Sequence, residues 1–181
     1  MSLERKYFVE PGIGKSELAD YLLAIKHDAR TTTISYLKDM KEAELDWQPF
    51  EGWNSIAALL SHIIAIDRYF RIFFIEGREF TELEKSEILP AAELGKYAAG
   101  FKGQSVSYYI ERLLETYEET RHAIIAMEPG LLLKRRYEDY DKVKGSDLAW
   151  ILFHAAEDEI HHRGQISIVR KLYKEMKAKQ Q

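Results

Sequence analysis

The stretch His154–Ile166, HAAEDEIHHRGQI, holds three histidines and three carboxylates among apolar residues that recur at helical spacing. An α-helix turns about 100° per residue, so each side chain can be placed on a wheel with His154 at zero. Ile151, Ala155, Ile166, Val169 and Leu172 then fall at roughly 60°, 100°, 120°, 60° and 0°, which centres the buried stripe near 60°. Asp158 and His162, at roughly 40° and 80°, flank that centre and face the core. His154 lies at the rim and Gln165 just inside it, while His161 and Glu159 sit further out on opposite sides. Glu157 and Arg163 point away, each about 120° from the centre.

Outward from this segment the chain reads as all-α. The helix that contains it starts at Ser146, an N-cap with Asp147 in the first turn, and runs to about Lys177. A first helix begins at Ser16 and carries Leu18, Leu22, Ile25, Ala29, Tyr36 and Met40 to an end near Leu45. A second follows Asn54 or Ser55 as N-cap, with Ile56, Leu59, Ile63, Ile66, Phe70 and Phe73 before Gly77 stops it. A third begins at Ser105 and ends before Pro129-Gly130, with Tyr109, Ile110, Leu113, Tyr117 and Ile124 on one stripe. Between the second and third lies a loop from about Arg78 to Gly103, with a short helix expected over 91–98. The link LLLKRRYEDYDKVKGS reads as a solvated connection; the alternative is that Tyr137 or Tyr140 folds over a pocket. The spacing predicts an up-and-down four-helix bundle with a longer connection after helix 2, in one domain spanning residues 1–181.

Composition narrows the function classes. With 26 Lys and Arg against 30 Asp and Glu, the formal charge is −4, so no basic surface awaits nucleic acid. Cysteine is absent, which removes disulfides, thiolate zinc sites and a thiol nucleophile, and leaves His, Asp and Glu as the strong metal ligands. No apolar run is long enough to span a membrane, and the first residues lack the apolar segment of a signal peptide. The expectation is a soluble, cytoplasmic protein with neither nucleic acid nor membrane as partner.

The six histidines divide by face. His27 and His122 fall opposite the apolar stripes of their helices and read as surface residues. His62 lies at the border of the second helix's stripe, with Asp67 on the other border. An ionised carboxylate near the centre of an apolar face is costly unless a cation offsets it. Asp158 and His162, at i and i+4, can reach one ion, and His62 is the inward His on another helix. The residues leave two readings open: a divalent metal site at His62, Asp158 and His162, or a buried Asp158–His162 pair that fixes helix packing without metal.

The segments NSIAALLSHIIAIDRYF and HAAEDEIHHRGQI together resemble the second-helix and fourth-helix signatures of the DinB-like superfamily of metal-binding four-helix bundles, and the resemblance covers nearly the whole chain. Typical members take two His separated by three residues from the fourth helix and one His from the second. His62 and His162 match two of those positions, and Asp158 stands at the other. This departure turns three neutral imidazoles into two His and a carboxylate, lowers the site's charge by one and favours harder ions. The resemblance implies one divalent ion, with nickel, zinc, iron or manganese as candidates. It implies either a metal-dependent hydrolase or a transferase of a low-molecular-weight thiol such as bacillithiol, acting on a small-molecule substrate. Three protein ligands leave coordination positions open, the arrangement of a catalytic site. His154, Glu157, His161 and Gln165 are candidates for supporting the ligands or moving protons, with ordinary hydrogen bonding at the cavity rim as the alternative. The non-enzymatic alternative is a helical binding or assembly module. The aromatic content of 12% accommodates a homodimer under either reading.

Overall fold

The structure is a computed structural model and describes residues 3–95, 100–137 and 145–180. Its helices are α1 (Glu17–Leu37), α2 (Glu42–Asp46), α3 (Ile56–Phe70), α4 (Glu82–Ala92), α5 (Val106–Ala126), α6 (Pro129–Leu132) and α7 (Leu148–Ala178). A π-helical segment, Arg71–Ile75, continues α3, and two short antiparallel strands, β1 (Arg135–Tyr137) and β2 (Ser146–Asp147), precede α7.

Local chemistry explains most of the boundaries. Ser16, Ser55 and Ser105 cap α1, α3 and α5, each hydroxyl accepting from a backbone N–H of the first turn. Gly77, at φ +66°, ends the α3–π run in the left-handed region that favours glycine. Three expectations are corrected. The first helix stops at Leu37, not near Leu45, because Asp39 adopts φ +62° and Met40 N–H turns back to Leu37 O; residues 42–46 form the separate α2. The helix expected over 91–98 lies at Glu82–Ala92, opened by a reciprocal capping box between Thr81 and Glu84 that the sequence contains as T-E-L-E. Residues 96–99 are outside the described set. Helix α7 is capped by Asp147, not Ser146: both residues form β2, the helix starts only at Leu148, and the Asp147 carboxylate accepts from Trp150 N–H at 2.8 Å. The expectations for Tyr140 and for the Tyr137 side chain also fall outside the described residues.

Helices α1 and α3 each pack on both α5 and α7, and face one another diagonally across the bundle. The direction of each helix follows from its contacts. Arg30 meets Glu159 and Arg170 meets the Tyr36 and Lys38 carbonyls, so α1 and α7 run parallel. His62 lies by His162 and Asp67 is at the level of Glu159, so α3 and α7 are antiparallel. Lys15 reaches Ala126 O and His27 reaches Tyr117, which sets α5 against α1. The all-α bundle and its longer connection after the second long helix are as expected. Strict up-and-down alternation gives way at that connection: α3 and α5 run parallel, as the span from residue 76 to 105 permits by carrying the chain back along the bundle.

Two apolar clusters fill the halves of the core. One joins Leu22, Leu23, Phe70, Phe74, Ile124 and Leu152; the other joins Leu37, Leu60, Ile63, Tyr109, Leu113 and Ile166. Between them, at the level of residues 26–30, 67, 116 and 159, runs a polar layer that the candidate site borders.

Candidate metal centre

His62, Asp158 and His162 converge, each offering one donor atom, with all three atoms within 4.8 Å of one another. Asp158 Oδ1 lies 3.2 Å from His162 Nε2 and Asp158 Oδ2 lies 3.4 Å from His62 Nε2. The two rings stand edge to face with centroids 4.7 Å apart. Both histidines are buried, and Asp158 retains 23% side-chain exposure, so the cluster is reached from the Asp158 side.

The orientation of each ring has a distinct local cause. His62 Nδ1–H donates to Ala91 O at 3.1 Å, a carbonyl in the last turn of α4 that has no partner inside its own helix. His162 Nδ1–H donates to Gln165 Oε1 at 2.8 Å, one turn further along α7. With Nδ1 of both rings engaged on a carbonyl oxygen, the Nε2 lone pairs are directed at the carboxylate between them. Asp158 Oδ2 is buried without a hydrogen-bond partner among the described residues.

Donors about 2.1 Å from one ion at tetrahedral angles are separated by about 3.4 Å, close to the two Asp158–His spacings. The residues therefore fit a divalent cation: two imidazole nitrogens, one carboxylate and one carboxylate oxygen with no other partner. Burial by itself would raise the Asp158 pKa, but His162 facing Oδ1 and the His62 ring beside the carboxylate outweigh it and hold the carboxyl well below the usual range. Burial opposes a charged His162, yet the hydrogen bond and charge of Asp158 prevail and raise its pKa.

The sequence-predicted supporting residues separate into two groups. Gln165 touches a candidate ligand directly, and His161 Nε2 lies 3.2 Å from Gln165 Nε2, its ring beside that of His162. His154 and Glu157 instead pair with each other at 3.2 Å, and the His154 ring stacks on Trp150. A cavity of about 350 Å³ adjoins the cluster through Gln165, walled by Trp53, Leu59, Ile168 and Val169, with Asn54 as a further polar group.

Immediately behind the site, four charged side chains occupy the centre of the bundle. Arg30 donates to Glu159 Oε1 at 2.9 Å and Oε2 at 3.0 Å, to Asp67, to Thr116 Oγ1 and to the Leu113 carbonyl. Lys26 bridges Asp67 and Glu159. Burial disfavours the charges here, but Arg30 and Lys26 outweigh it and bring the Glu159 pKa down to about 2, while Glu159 and Asp67 raise that of Arg30.

Sequence reasoning missed this layer. It set Glu159 outside the stripe, whereas Glu159 is 1% exposed. The buried arc of α7 includes Leu148, Leu152 and Ala156, because α7 packs on α1 as well as α3, and this moves its centre toward Glu159 and Asp158 toward its edge. A signal was present on α1, where Lys26 and Arg30 fall between Leu22 and Leu37 at spacings of three and four. His27 likewise is half-buried, not a free surface residue: Nε2–H donates to Glu4 O at 2.7 Å and Nδ1 accepts from Tyr117 O–H at 2.8 Å. His122 is exposed as expected.

Among the described residues no helix is long and apolar enough to cross a membrane. No curated protein matches the chain. A solved structure, the crystal structure of a conserved protein of a locus from Enterococcus faecalis, is similar with a TM-score of 0.69 at 15% identity, over 87% of this chain and 97% of that one. At that identity the likeness concerns the fold, which agrees with the bundle described above. The profile of the DinB superfamily matches residues 27–166, a span that contains His62, Asp158 and His162, and the chain belongs to that superfamily.

Proposed function

We propose that this protein is a metal-dependent enzyme that holds one divalent cation through His62 Nε2, Asp158 and His162 Nε2 and acts on a small molecule seated in the adjoining groove. The observation that carries the reading is the pairing of both Nδ1 atoms with carbonyl oxygens, which leaves two Nε2 atoms and the unpartnered Asp158 Oδ2 turned toward one another. A cation held by three protein donors supplies a Lewis acid with open positions, able to bring water or a thiol to its ionised form near neutral pH. The chain's own residues orient and enclose: Ala91 O and Gln165 fix the rings, and Trp53, Leu59 and Ile168 offer an apolar seat. Because the chain has no Cys, a thiol nucleophile must arrive as substrate, and water is the other nucleophile the site accommodates. Water makes the protein a hydrolase, whereas a low-molecular-weight thiol makes it a transferase.

The short Asp158–His162 contact favours a second reading, in which a charged His162 and Asp158 form a packing pair in a non-catalytic module. Elemental analysis of protein purified without an affinity tag separates the two. The enzyme reading expects about one equivalent of a divalent metal, lost in His162→Ala and His62→Ala. A panel of activated esters, amides and haloarenes, run with and without a small thiol, then assigns the nucleophile. Metal-free protein that takes up none of nickel, zinc, manganese or iron(II) in calorimetric titration overturns the enzyme reading.

A further inference from the structure

We propose that Asn54 is a positioning residue for the candidate metal centre: by taking up the backbone N–H of Gly95 it leaves the Ala91 carbonyl to His62 and holds that ring with its proton on Nδ1. This role rests on the metal-dependent reading above and deepens it.

In an α-helix the carbonyl of residue i accepts from the N–H of residue i+4, so a continued α4 would pair Ala91 O with Gly95 N–H. The chain does otherwise. Helix α4 ends at Ala92, and Gly95, at φ +86°, stands in the left-handed region that turns the chain off the helical course. Its N–H donates instead to Asn54 Oδ1 at 3.1 Å, across 41 residues of sequence. Among the described residues no backbone N–H reaches Ala91 O, and the donor that does is His62 Nδ1–H, at 3.1 Å. Two long-range bonds thus stand in place of the one that a longer helix would make.

Asn54 can serve here because its neighbour does the capping. Ser55 Oγ accepts from Ala58 N–H at 3.1 Å and starts α3, so the half-buried Asn54 side chain is not needed at the helix start. Only its amide oxygen can meet an N–H, which fixes the orientation of the amide. Packing of Ile88 and Ala91 against Ala65 and Ile72 brings the end of α4 beside α3, but packing does not choose which ring nitrogen of His62 carries the proton. The acceptor at Nδ1 makes that choice, and Nε2 can bind a cation only when the proton is on Nδ1. Asn54 also lines the groove beside the centre, so one amide borders the seat of the small molecule and the segment that orients a ligand.

The test needs no substrate. In metal-free protein, at a pH where the ring is neutral, long-range proton–nitrogen NMR reads the tautomer of His62, its signals assigned by their loss in His62→Ala. Wild type should show the Nδ1–H form. In Asn54→Leu, Gly95 N–H is released to compete for Ala91 O, so the His62 signals should move toward the Nε2–H form and zinc affinity in calorimetry should fall about tenfold. Helical circular dichroism should not change, because the Ser55 cap stays in place. Asn54→Asp keeps an acceptor at the same position and should restore the Nδ1–H form, a rescue that a packing role would not give. Wild type that takes up no cation overturns the metal-dependent reading by itself, and the tautomer comparison still decides the role of Asn54. A wild-type His62 with its proton on Nε2, an Asn54→Leu ring unchanged in tautomer, or equal losses in Asn54→Leu and Asn54→Asp overturns the proposal.

Discussion

Asp158 and Glu159 are neighbours on one helix, yet they belong to two polar clusters of opposite character. Glu159 sits in a closed set of two cations and two anions in which Arg30 alone reaches Glu159, Asp67, Thr116 and the Leu113 carbonyl. Asp158 sits in an open set, between two imidazoles whose Nε2 atoms face it and with one carboxylate oxygen unpartnered. In the closed cluster, internal partners use the hydrogen-bonding capacity of the groups and no ligand is needed. In the open cluster the donor atoms are aligned and left over, as a binding site requires. The same helix thus supplies a structural anchor and a candidate reaction centre one residue apart.

The strongest way to break this contrast is to remove one charge from the closed set. Arg30→Ala leaves Glu159 and Asp67 buried with only Lys26 between them, and should destabilise the fold by about 3–5 kcal/mol in a urea titration. His62→Ala, by comparison, should cost far less stability in metal-free protein. If the two variants lose equal stability, the clusters are not energetically distinct.

The second test is acid. Glu159 is held down to about 2 by Arg30 and Lys26, so its folded-state pKa lies below the unfolded value of 4.5. Its contribution is complete above the unfolded pKa and is lost as pH falls from about 4.5 toward about 2. Asp158, also lowered, acts with the same sign. His162 is raised, so its contribution in metal-free protein is present below its unfolded pKa and is lost as pH rises through the folded one. Metal uptake requires neutral imidazole and should strengthen over that same rise. Thermal unfolding of metal-free protein followed against pH should show both limbs, and an affinity for zinc that falls as pH increases through neutrality contradicts the ligand assignment.

A smaller effect tests how the open cluster is oriented. Gln165→Leu frees His162 Nδ1 while leaving the three candidate ligands in place, and should lower metal affinity about 10–100-fold in calorimetry. Asp158→His rebuilds the all-imidazole set of typical relatives and should shift preference toward nickel or zinc over manganese. An unchanged selectivity would return Asp158 to the role of a packing partner.

Much of this was readable from the residues alone. Helical periodicity identified the four long helices, hydroxyl caps at Ser16 and Ser105 located two of their starts, and the choice of Asn54 or Ser55 bracketed a third, because both signals are local to a few turns of chain. The i, i+4 spacing placed Asp158 and His162 together for the same reason. Pairing them with His62 required a match between two helices; His62 was the inward His on another helix, and resemblance to a known bundle supported that match.

What tertiary structure decided was everything set by which helix lies against which. The parallel course of α1 with α7 carries Lys26 and Arg30 to Asp67 and Glu159, a partnership invisible on any single wheel. The displacement of α4 to Glu82–Ala92 delivers the Ala91 carbonyl to His62. Periodicity records how far each residue lies from its own helix's apolar centre, but that centre moves when a helix packs on two neighbours, as α7 does. The candidate ligand residues were therefore legible from sequence, whereas the charged layer behind them emerged only once the four helices enclosed a shared interior.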